Sequence, residues 1–226
     1  MDIEEKFFSR HSPLIGEENI KKLRSSTLLI AGLGGLGCTV ATLLVRLGIG
    51  RLHLVDSDII SPSNLNRQIL YHYNDIGKAK VEVAEERLKA INPAVKIVKH
   101  KRKIERRFSL PEGIDGVVDC LDNFRSRYIL DEFIHQRSIF MVHAGVSTYF
   151  GQVTTIFPGK TRSLRDLFPA VPDKVDPVFP PTVLIVASLQ AAETVRVLCD
   201  SNGKLLNRIA IVDVLTSTCE IIEVKD

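Results

Sequence analysis

Residues 27–47 read TLLIAGLGGLGCTVATLLVRL, and this stretch decides the fold class. The run at 27–31 is continuously apolar, which is typical of a strand buried on both faces of a sheet. A glycine-rich turn at 32–37 follows it directly, and an apolar helix is predicted from there to about residue 47. A strand, a glycine turn and a helix in this order form the first unit of a doubly wound sheet, in which the backbone can approach a phosphate.

Strand and helix patterns alternate along the rest of the first half of the chain. Short apolar runs predict further strands at residues 52–55, 95–98, 116–119 and 139–144. One helical pattern ends at Asn92-Pro93 and another follows Asn123. This β-α-β-α order predicts an α/β protein with a Rossmann-like, doubly wound and mostly parallel sheet.

The pattern changes after Gly145. An apolar helix is predicted at 182–198, either central in the fold or at an interface. Additional C-terminal strands, which we expect to be antiparallel, are predicted at residues 152–157, 209–212 and 219–224. We expect one domain over residues 1–226, with an N-terminal helical arm at 1–25 and a proline-rich crossover loop at 158–181.

The composition fits a single soluble domain and excludes several classes of protein. The chain has 226 residues, with 30 Lys and Arg against 27 Asp and Glu, a formal net charge of +3 and 45% hydrophobic residues. This apolar content excludes a disordered chain, and so small a net charge gives little support for nucleic-acid binding. The acidic start has no signal-peptide core, and the apolar stretch at 178–192 is short and interrupted by proline. We therefore expect a cytoplasmic protein with neither nucleic acid nor membrane as a partner.

The densest basic run is K-H-K-R-K-I-E-R-R at 99–107. We interpret it as a solvated connection between elements, because runs of like charge usually face water. A basic face that attracts an acidic partner protein is the alternative.

Polar residues gather where the predicted strands end. Asp56 ends the second strand, where a carboxylate can accept hydrogen bonds from a ribose. Taken alone, this indicates a nucleotide without separating NAD, FAD and ATP, and a glycine turn that serves only packing is the alternative. Three further segments follow: S-N-L-N-R-Q at 63–68, G-K-A-K at 77–80 and D-C-L-D-N at 119–123. Cations aimed at a phosphate chain and a second acidic strand end favour nucleotidyl or phosphoryl transfer over hydride transfer.

These motifs, in this order and spacing, resemble the ThiF/MoeB/HesA group, the bacterial relatives of ubiquitin-activating E1 enzymes. The resemblance runs from about Phe8 to Glu223, nearly the whole chain. It implies nucleotide binding by Gly34, Gly35, Asp56, Asp58, Ser63, Asn64, Leu65, Asn66, Arg67, Gln68, Lys80, Asp122 and Asn123. It implies catalytic roles for Arg10, Arg67, Lys80 and Asp122, with Asp122 as the metal ligand and Arg10 reaching into a partner subunit. Asp58 and Ser63 could instead cap turns, and Arg10 could be an ordinary surface residue.

The chain departs from this family at its cysteines. Many relatives hold zinc with two Cys-x-x-Cys pairs, whereas residues 163–166 read S-L-R-D at the first of these places. We therefore expect no zinc, with packing of the crossover loop in its place. No cysteine lies near Asp173, where some relatives carry out sulfur chemistry, so we expect an enzyme that stops at adenylation and a separate sulfur-donor protein.

The resemblance implies an ATP- and Mg²⁺-dependent adenylyltransferase that forms homodimers. Its expected substrate is the C-terminal carboxylate of a ubiquitin-like sulfur-carrier protein with a Gly-Gly tail, of the ThiS or MoaD type. The product would serve sulfur transfer for thiamin or molybdopterin-type cofactors. Adenylation of another peptide or small-molecule carboxylate and a non-catalytic nucleotide-binding scaffold are the alternatives, and an NAD-dependent oxidoreductase is a more remote one.

Overall fold

An eight-stranded sheet forms the centre of the protein. The computed structural model describes residues 3–169, 176–200 and 205–224, without the side chains of 3–5 and 200. In chain order the strands are β1 (Thr27–Ala31), β2 (Arg51–Val55), β3 (Lys96–His100), β4 (Gly116–Asp119), β5 (Phe140–Ser147), β6 (Phe150–Ile156), β7 (Arg208–Asp213) and β8 (Thr218–Glu223). They lie side by side in the order β3-β2-β1-β4-β5-β6-β7-β8.

The sheet is parallel in its first part and antiparallel in its second. Strands β3, β2, β1, β4 and β5 pair in parallel, whereas β6, β7 and β8 are added antiparallel. The predicted Rossmann-like α/β fold with antiparallel C-terminal strands is confirmed. The order in which strands are added to the sheet reverses at β1, which lies between β2 and β4. The carboxyl ends of these three strands therefore form the switch point at which such sheets bind ligands.

Helices cover both faces of the sheet. They are α1 (Ile3–Phe8), α2 (Ser12–Ile15), α3 (Glu17–Ser25), α4 (Gly35–Leu47), α5 (Lys80–Ile91), α6 (Phe124–Arg137), α7 (Leu164–Leu167) and α8 (Pro180–Asp200). One core packs α4, α5 and α8 against the sheet. A smaller core on the other face packs α6 and the chain between β3 and β4, with Ile104 and Phe108 buried.

Helix α8 occupies the central place that its apolar sequence predicts. It packs along α4 and across β5 and β6. The helix is long and apolar enough to cross a membrane by length and composition, but half of that apolar window is buried inside the fold. Its polar side chains Gln190 and Glu193 are also fully buried, where they bond to strand and loop groups. A role for this helix at a subunit interface stays a prediction.

The S-L-R-D segment at 163–166 is held by hydrogen bonds and packing. The Ser163 hydroxyl donates to Asp166 Oδ2 at 2.6 Å and accepts from the Asp166 amide at 3.2 Å, which caps α7. The Leu164 amide donates to Asp131 Oδ1 at 3.1 Å, and the Leu164 side chain is fully buried. Residues 170–175 of the crossover loop, with Asp173, lie outside the described part.

Candidate active site

A cleft of about 1620 Å³ opens at the carboxyl ends of the central strands. The glycine turn, the ends of β2 and β4 and the first turns of α6 line one part, and the β5–β6 hairpin lines another. Pockets for small molecules usually measure about 300–1,000 Å³. The cleft therefore has room for a nucleotide and for part of a second substrate.

Three glycines of the turn differ in their steric requirements. Gly32 has φ +93°, and a Cβ there would lie 2.7 Å from the Cys120 carbonyl oxygen. A Cβ on Gly35 would lie 2.6 Å from Val183 Cγ1. Gly34 is the N-cap of α4, and its nearest contact would be Gln68 Nε2 at 3.8 Å. The backbone at Gly34 is thus open to the cleft beside a helix N-terminus, the arrangement that binds anions.

Asp56 joins the glycine turn to the end of β2. Its Oδ2 accepts from the Leu33 amide at 2.7 Å, and its Oδ1 accepts from the Asp58 amide at 2.8 Å. Lys80, the first residue of α5, is buried with its Nζ 3.0 Å from Asp58 Oδ2 and 3.9 Å from Asp56 Oδ2. Burial raises the pKa of Asp56, and the neighbouring Lys80 opposes the shift. The cleft therefore holds one buried ammonium group beside two carboxylates.

The S-N-L-N-R-Q segment brings Asn64, Arg67 and Gln68 to the cleft wall. The Asn64 amide oxygen accepts from the Ser61 amide at 2.9 Å and fixes the turn in which these residues lie. Gln68 is buried, and its Oε1 has no hydrogen-bond partner within the described ranges. This segment therefore presents a cation and an unsatisfied amide to the cleft.

Three neighbours that the resemblance assigned to nucleotide binding do not line the cleft, and two of them hold Arg67 instead. The Ser63 carbonyl oxygen and Asn66 Oδ1 each accept from Arg67 Nη1 at 2.9 Å. Leu65 is partly buried against the larger core. Arg10 is exposed and does not line the cleft of its own chain.

Asp122 and Asn123 lie between β4 and α6. Asn123 Oδ1 caps α6 by accepting from the Ser126 amide at 2.9 Å, and its Nδ2 donates to Asp122 Oδ1 at 3.3 Å. Asp122 is exposed on the cleft wall. Within residues 3–169, 176–200 and 205–224, no group of three metal-binding side chains occurs. A lone carboxylate fits Mg²⁺ that arrives with a phosphate chain, because Mg²⁺ is usually bound by one or two carboxylates and substrate phosphates.

A buried polar network behind the Asp122 loop was missed by the sequence interpretation. Asp119 Oδ2 lies 2.7 Å from His143 Nδ1 and 3.5 Å from Arg127 Nε. Asp119 Oδ1 accepts from the Leu121 amide at 3.1 Å, and Arg127 donates to the carbonyl oxygens of Leu121 and Ala144. A histidine and an arginine thus fix a carboxylate under the strand ends.

The charges in this network follow from burial and pairing. Burial alone would raise the pKa of Asp119, but Arg127 and the His143 hydrogen bond outweigh it, so this pKa lies below its ordinary value. Burial lowers the pKa of His143 against the hydrogen bond to Asp119. The imidazole is therefore neutral and donates from Nδ1 to an ionised carboxylate. A histidine in the apolar run at 139–144 was the sequence signal that could have indicated it.

The basic run at 99–107 was assigned no place in the site by the sequence interpretation. Arg102, Lys103, Arg106 and Arg107 are exposed, as expected of a solvated connection, but they also line the cleft. Buried Ile104 anchors the run to the smaller core. The run therefore forms a basic wall of the cleft, whereas Lys101 does not line it.

Comparisons with known proteins identify the family and the fold of the chain. The ThiF family model matches residues 8–226. The chain is 32% identical over 227 residues to a Haloferax volcanii protein named SAMP-activating enzyme E1, covering 94% of this chain and 83% of that one. It is 32% identical over 220 residues to the sulfur carrier protein adenylyltransferase of Thermus thermophilus, covering 91% and 81%. The solved structure of E. coli MccB with ATP superposes with a TM-score of 0.84 at 22% identity, covering 99% of this chain and 72% of that one, and shows the shared fold. The chain therefore belongs to the ThiF family.

Proposed function

We propose that this ThiF-family enzyme adenylates the C-terminal carboxylate of a ubiquitin-like sulfur-carrier protein, with ATP as co-substrate. The observation that carries the proposal is the shared cleft. It brings together the open backbone at Gly34, the cations Arg67 and Lys80, and the exposed carboxylate of Asp122. The names of the Haloferax and Thermus relatives support the choice of substrate class.

The reaction needs positioning and charge neutralisation more than proton transfer. A C-terminal carboxylate is already ionised at pH 7. One of its oxygens attacks the α-phosphorus of ATP, the bond from that phosphorus to the bridging oxygen breaks, and pyrophosphate leaves. The carrier is left as an acyl-adenylate. No residue has to act as a general base.

The cleft walls supply fixed charge for this step. Their basic residues are Arg67, Lys80, Arg102, Lys103, Arg106, Arg107, Arg125, Arg127 and Arg165. Their acidic residues are Asp56, Asp58, Glu105, Asp122, Glu132 and Asp176. The surplus of cations suits a polyphosphate, because fixed positive groups oppose the negative charge that develops on the leaving pyrophosphate.

Individual residues take the roles that their surroundings support. Lys80 and Arg67 contact the phosphates, and Asp56 retains lone pairs for a ribose hydroxyl beyond the two that it uses in its own turn. Asp122 would hold Mg²⁺, which when bound supplies further positive charge to the phosphate chain. We propose no zinc site, and a separate protein as the sulfur donor.

The assembly is also part of the proposal. The enzyme acts in the cytoplasm as a homodimer, and Arg10 of each subunit reaches the cleft of the other. The exposure of Arg10 and its position away from its own cleft support this reach. The acyl-adenylate serves sulfur transfer in the synthesis of thiamin or a molybdopterin-type cofactor.

ATP–pyrophosphate exchange tests the proposal. Purified chain, Mg²⁺, ATP and labelled pyrophosphate should give labelled ATP only when a carrier protein ending in Gly-Gly is present. Asp122→Ala should abolish the exchange. Exchange supported by a small acid or an unrelated peptide instead of the carrier would point to another carboxylate substrate, and no exchange with any carrier would refute the proposal.

Mixed subunits test the proposed reach across the dimer. Arg10→Ala and Arg67→Ala chains should each be inactive alone. Together they should regain part of the activity, because one mixed site contains both arginines. No recovery on mixing would show that Arg10 does not act across subunits.

A further inference from the structure

The polypeptide immediately before Asp122 is held from beneath by Asp119 and His143, which do not line the cleft, and by Arg127, which does. We propose that His143, acting through Asp119, is a positioning residue that fixes the Leu121–Asp122 peptide and so aims the Asp122 carboxylate into the cleft. The inference rests on the proposed role of Asp122 in holding Mg²⁺ with the nucleotide.

Both backbone polar groups of Leu121 are bound by the network. The Leu121 amide donates to Asp119 Oδ1 at 3.1 Å, and its carbonyl oxygen accepts from Arg127 Nη2. The next residue along the chain is Asp122, so the direction of its backbone is set by these two bonds. Arg127 Nη2 also donates to the Ala144 carbonyl oxygen at 2.9 Å, which ties the loop to β5.

His143 holds the central carboxylate of this arrangement. Its Nδ1 lies 2.7 Å from Asp119 Oδ2, and both side chains are fully buried. Because water cannot reach the carboxylate, removal of the imidazole would leave Asp119 Oδ2 with Arg127 alone, at 3.5 Å from Nε. The carboxylate would then be free to shift toward the guanidinium and away from the Leu121 amide.

Packing alone does not account for a histidine at this place. The ring lies among aromatic side chains, with centroids 5.4 Å from Phe168 and 6.4 Å from Phe124. His143 Nε2 is buried and has no hydrogen-bond partner in the described part of the chain. A buried ring nitrogen without a partner costs stability, and an apolar side chain would fill the same space without that cost. The imidazole differs from such an apolar side chain by the hydrogen bond that its Nδ1 donates to Asp119.

Three variants separate this role from general destabilisation. His143→Leu keeps the volume and removes the donor. His143→Asn restores an N–H donor near the position of Nδ1. His53→Leu is the matched control, because His53 is also a buried strand histidine but pairs with His100 on β3, outside both network and cleft.

Amide hydrogen exchange in the nucleotide-free chain measures the effect directly. The Leu121 amide should exchange about tenfold faster in His143→Leu than in the wild type, the loss expected for a buried hydrogen bond to a charged group. Exchange at this amide should stay close to the wild-type rate in His143→Asn and should be unchanged in His53→Leu. Unchanged exchange in His143→Leu, or an equal rise in His53→Leu, would overturn the proposal.

Nucleotide binding gives the functional readout. Calorimetric titration with ATP should show about tenfold weaker binding by His143→Leu when Mg²⁺ is present, and binding equal to the wild type when EDTA replaces it. Equal losses under both conditions would overturn the proposal. Failure of the wild type to bind ATP at all would refute the proposed function, while the exchange measurement would still decide the role of His143.

A second variant covers the case in which His143→Leu does not fold. Arg127→Lys keeps the positive charge near Asp119 but loses the planar group that donates to two carbonyl oxygens. It should also raise hydrogen exchange at the Leu121 amide, which is the readout for this variant because Arg127 itself lines the cleft. Exchange at the wild-type level in this variant would overturn the proposal.

Discussion

A methyl group at Gly34 should weaken nucleotide binding while leaving the free protein nearly as stable as the wild type. Gly34 has φ −78° and ψ −153°, a backbone conformation open to alanine, and its new Cβ would meet only Gln68 Nε2 at 3.8 Å. Replacing glycine by alanine at an N-cap costs about 0.5–1 kcal/mol. For a chain of this size, the melting temperature should therefore fall by only about 1–4 °C.

The expected loss of ATP binding is larger than this loss of stability. A phosphate chain bound at the N-terminus of α4 lies against the glycine backbone, so the methyl group occupies part of its space. Forcing one extra carbon into a filled site costs about 1–3 kcal/mol, which corresponds to about 5- to 150-fold weaker binding. Calorimetric titration with Mg²⁺ and ATP measures this change.

Gly35→Ala is the matched comparison for this prediction. Its Cβ would lie 2.6 Å from Val183 Cγ1 and 3.3 Å from Arg67 Cγ, so it crowds the protein itself. It should destabilise the free chain by about 1–3 kcal/mol. ATP binding by Gly34→Ala within about twofold of the wild type would refute the placement of the phosphates. A loss of stability equal to that of Gly35→Ala would contradict the open surroundings of Gly34.

Three further predictions follow from the charges of the site and the sheet. Because Asp122 is exposed, Asp122→Asn should leave the free energy of unfolding, measured by urea titration, within about 0.5 kcal/mol of the wild type. The same variant should lower ATP–pyrophosphate exchange about 100-fold or more. Exchange near the wild-type rate would contradict the proposed role of Asp122. Arg106→Ala should raise the KM for ATP about threefold or more at low salt, whereas Lys101→Ala, which also removes one positive charge but outside the cleft, should not. Equal effects of the two variants would show that the basic wall acts only through net charge. Burial, together with the neighbouring His100 and Arg51, lowers the pKa of His53 to about 4. As the pH falls, the unfolded chain therefore takes up a proton at this histidine before the folded chain does. The free energy of unfolding should fall by about 1–3 kcal/mol between about pH 6.5 and about pH 4. His53→Leu should lose this part of the pH dependence in urea titrations, and an unchanged profile would contradict the assignment.

Strand prediction succeeded where burial was complete and failed at the margins. The predicted strands at 27–31 and 116–119 coincide with β1 and β4, whose residues are all buried. The strand predicted at 95–98 runs from Lys96 to His100 instead, because this edge strand is half exposed and its apolar pattern is weak. The strand predicted from 152 begins at Phe150, after a turn in which Thr148 has φ +53°.

The site could be predicted only where neighbours in sequence carry it. The glycine turn, Asp56 and Asp122 follow strands that end at the same edge of the sheet, so topology alone brings them together. The pairing of Asp119 with His143 depends on the register of β4 with β5, which no local pattern reports. The position of the basic wall depends on the path of the loop between β3 and β4, which the sequence does not reveal. The contact of Ser63 with Arg67 depends on the geometry of one turn, which is equally hidden in the sequence.

Transfer of labelled oxygen tests the central claim most directly. A carrier protein ending in Gly-Gly would be prepared with ¹⁸O in its C-terminal carboxylate and incubated with the chain, Mg²⁺, ATP and hydroxylamine to release the acyl group. If the carboxylate attacks the α-phosphorus, the AMP released will carry one ¹⁸O and the pyrophosphate none. Label in pyrophosphate or phosphate, or unlabelled AMP, would contradict adenylation of the carrier.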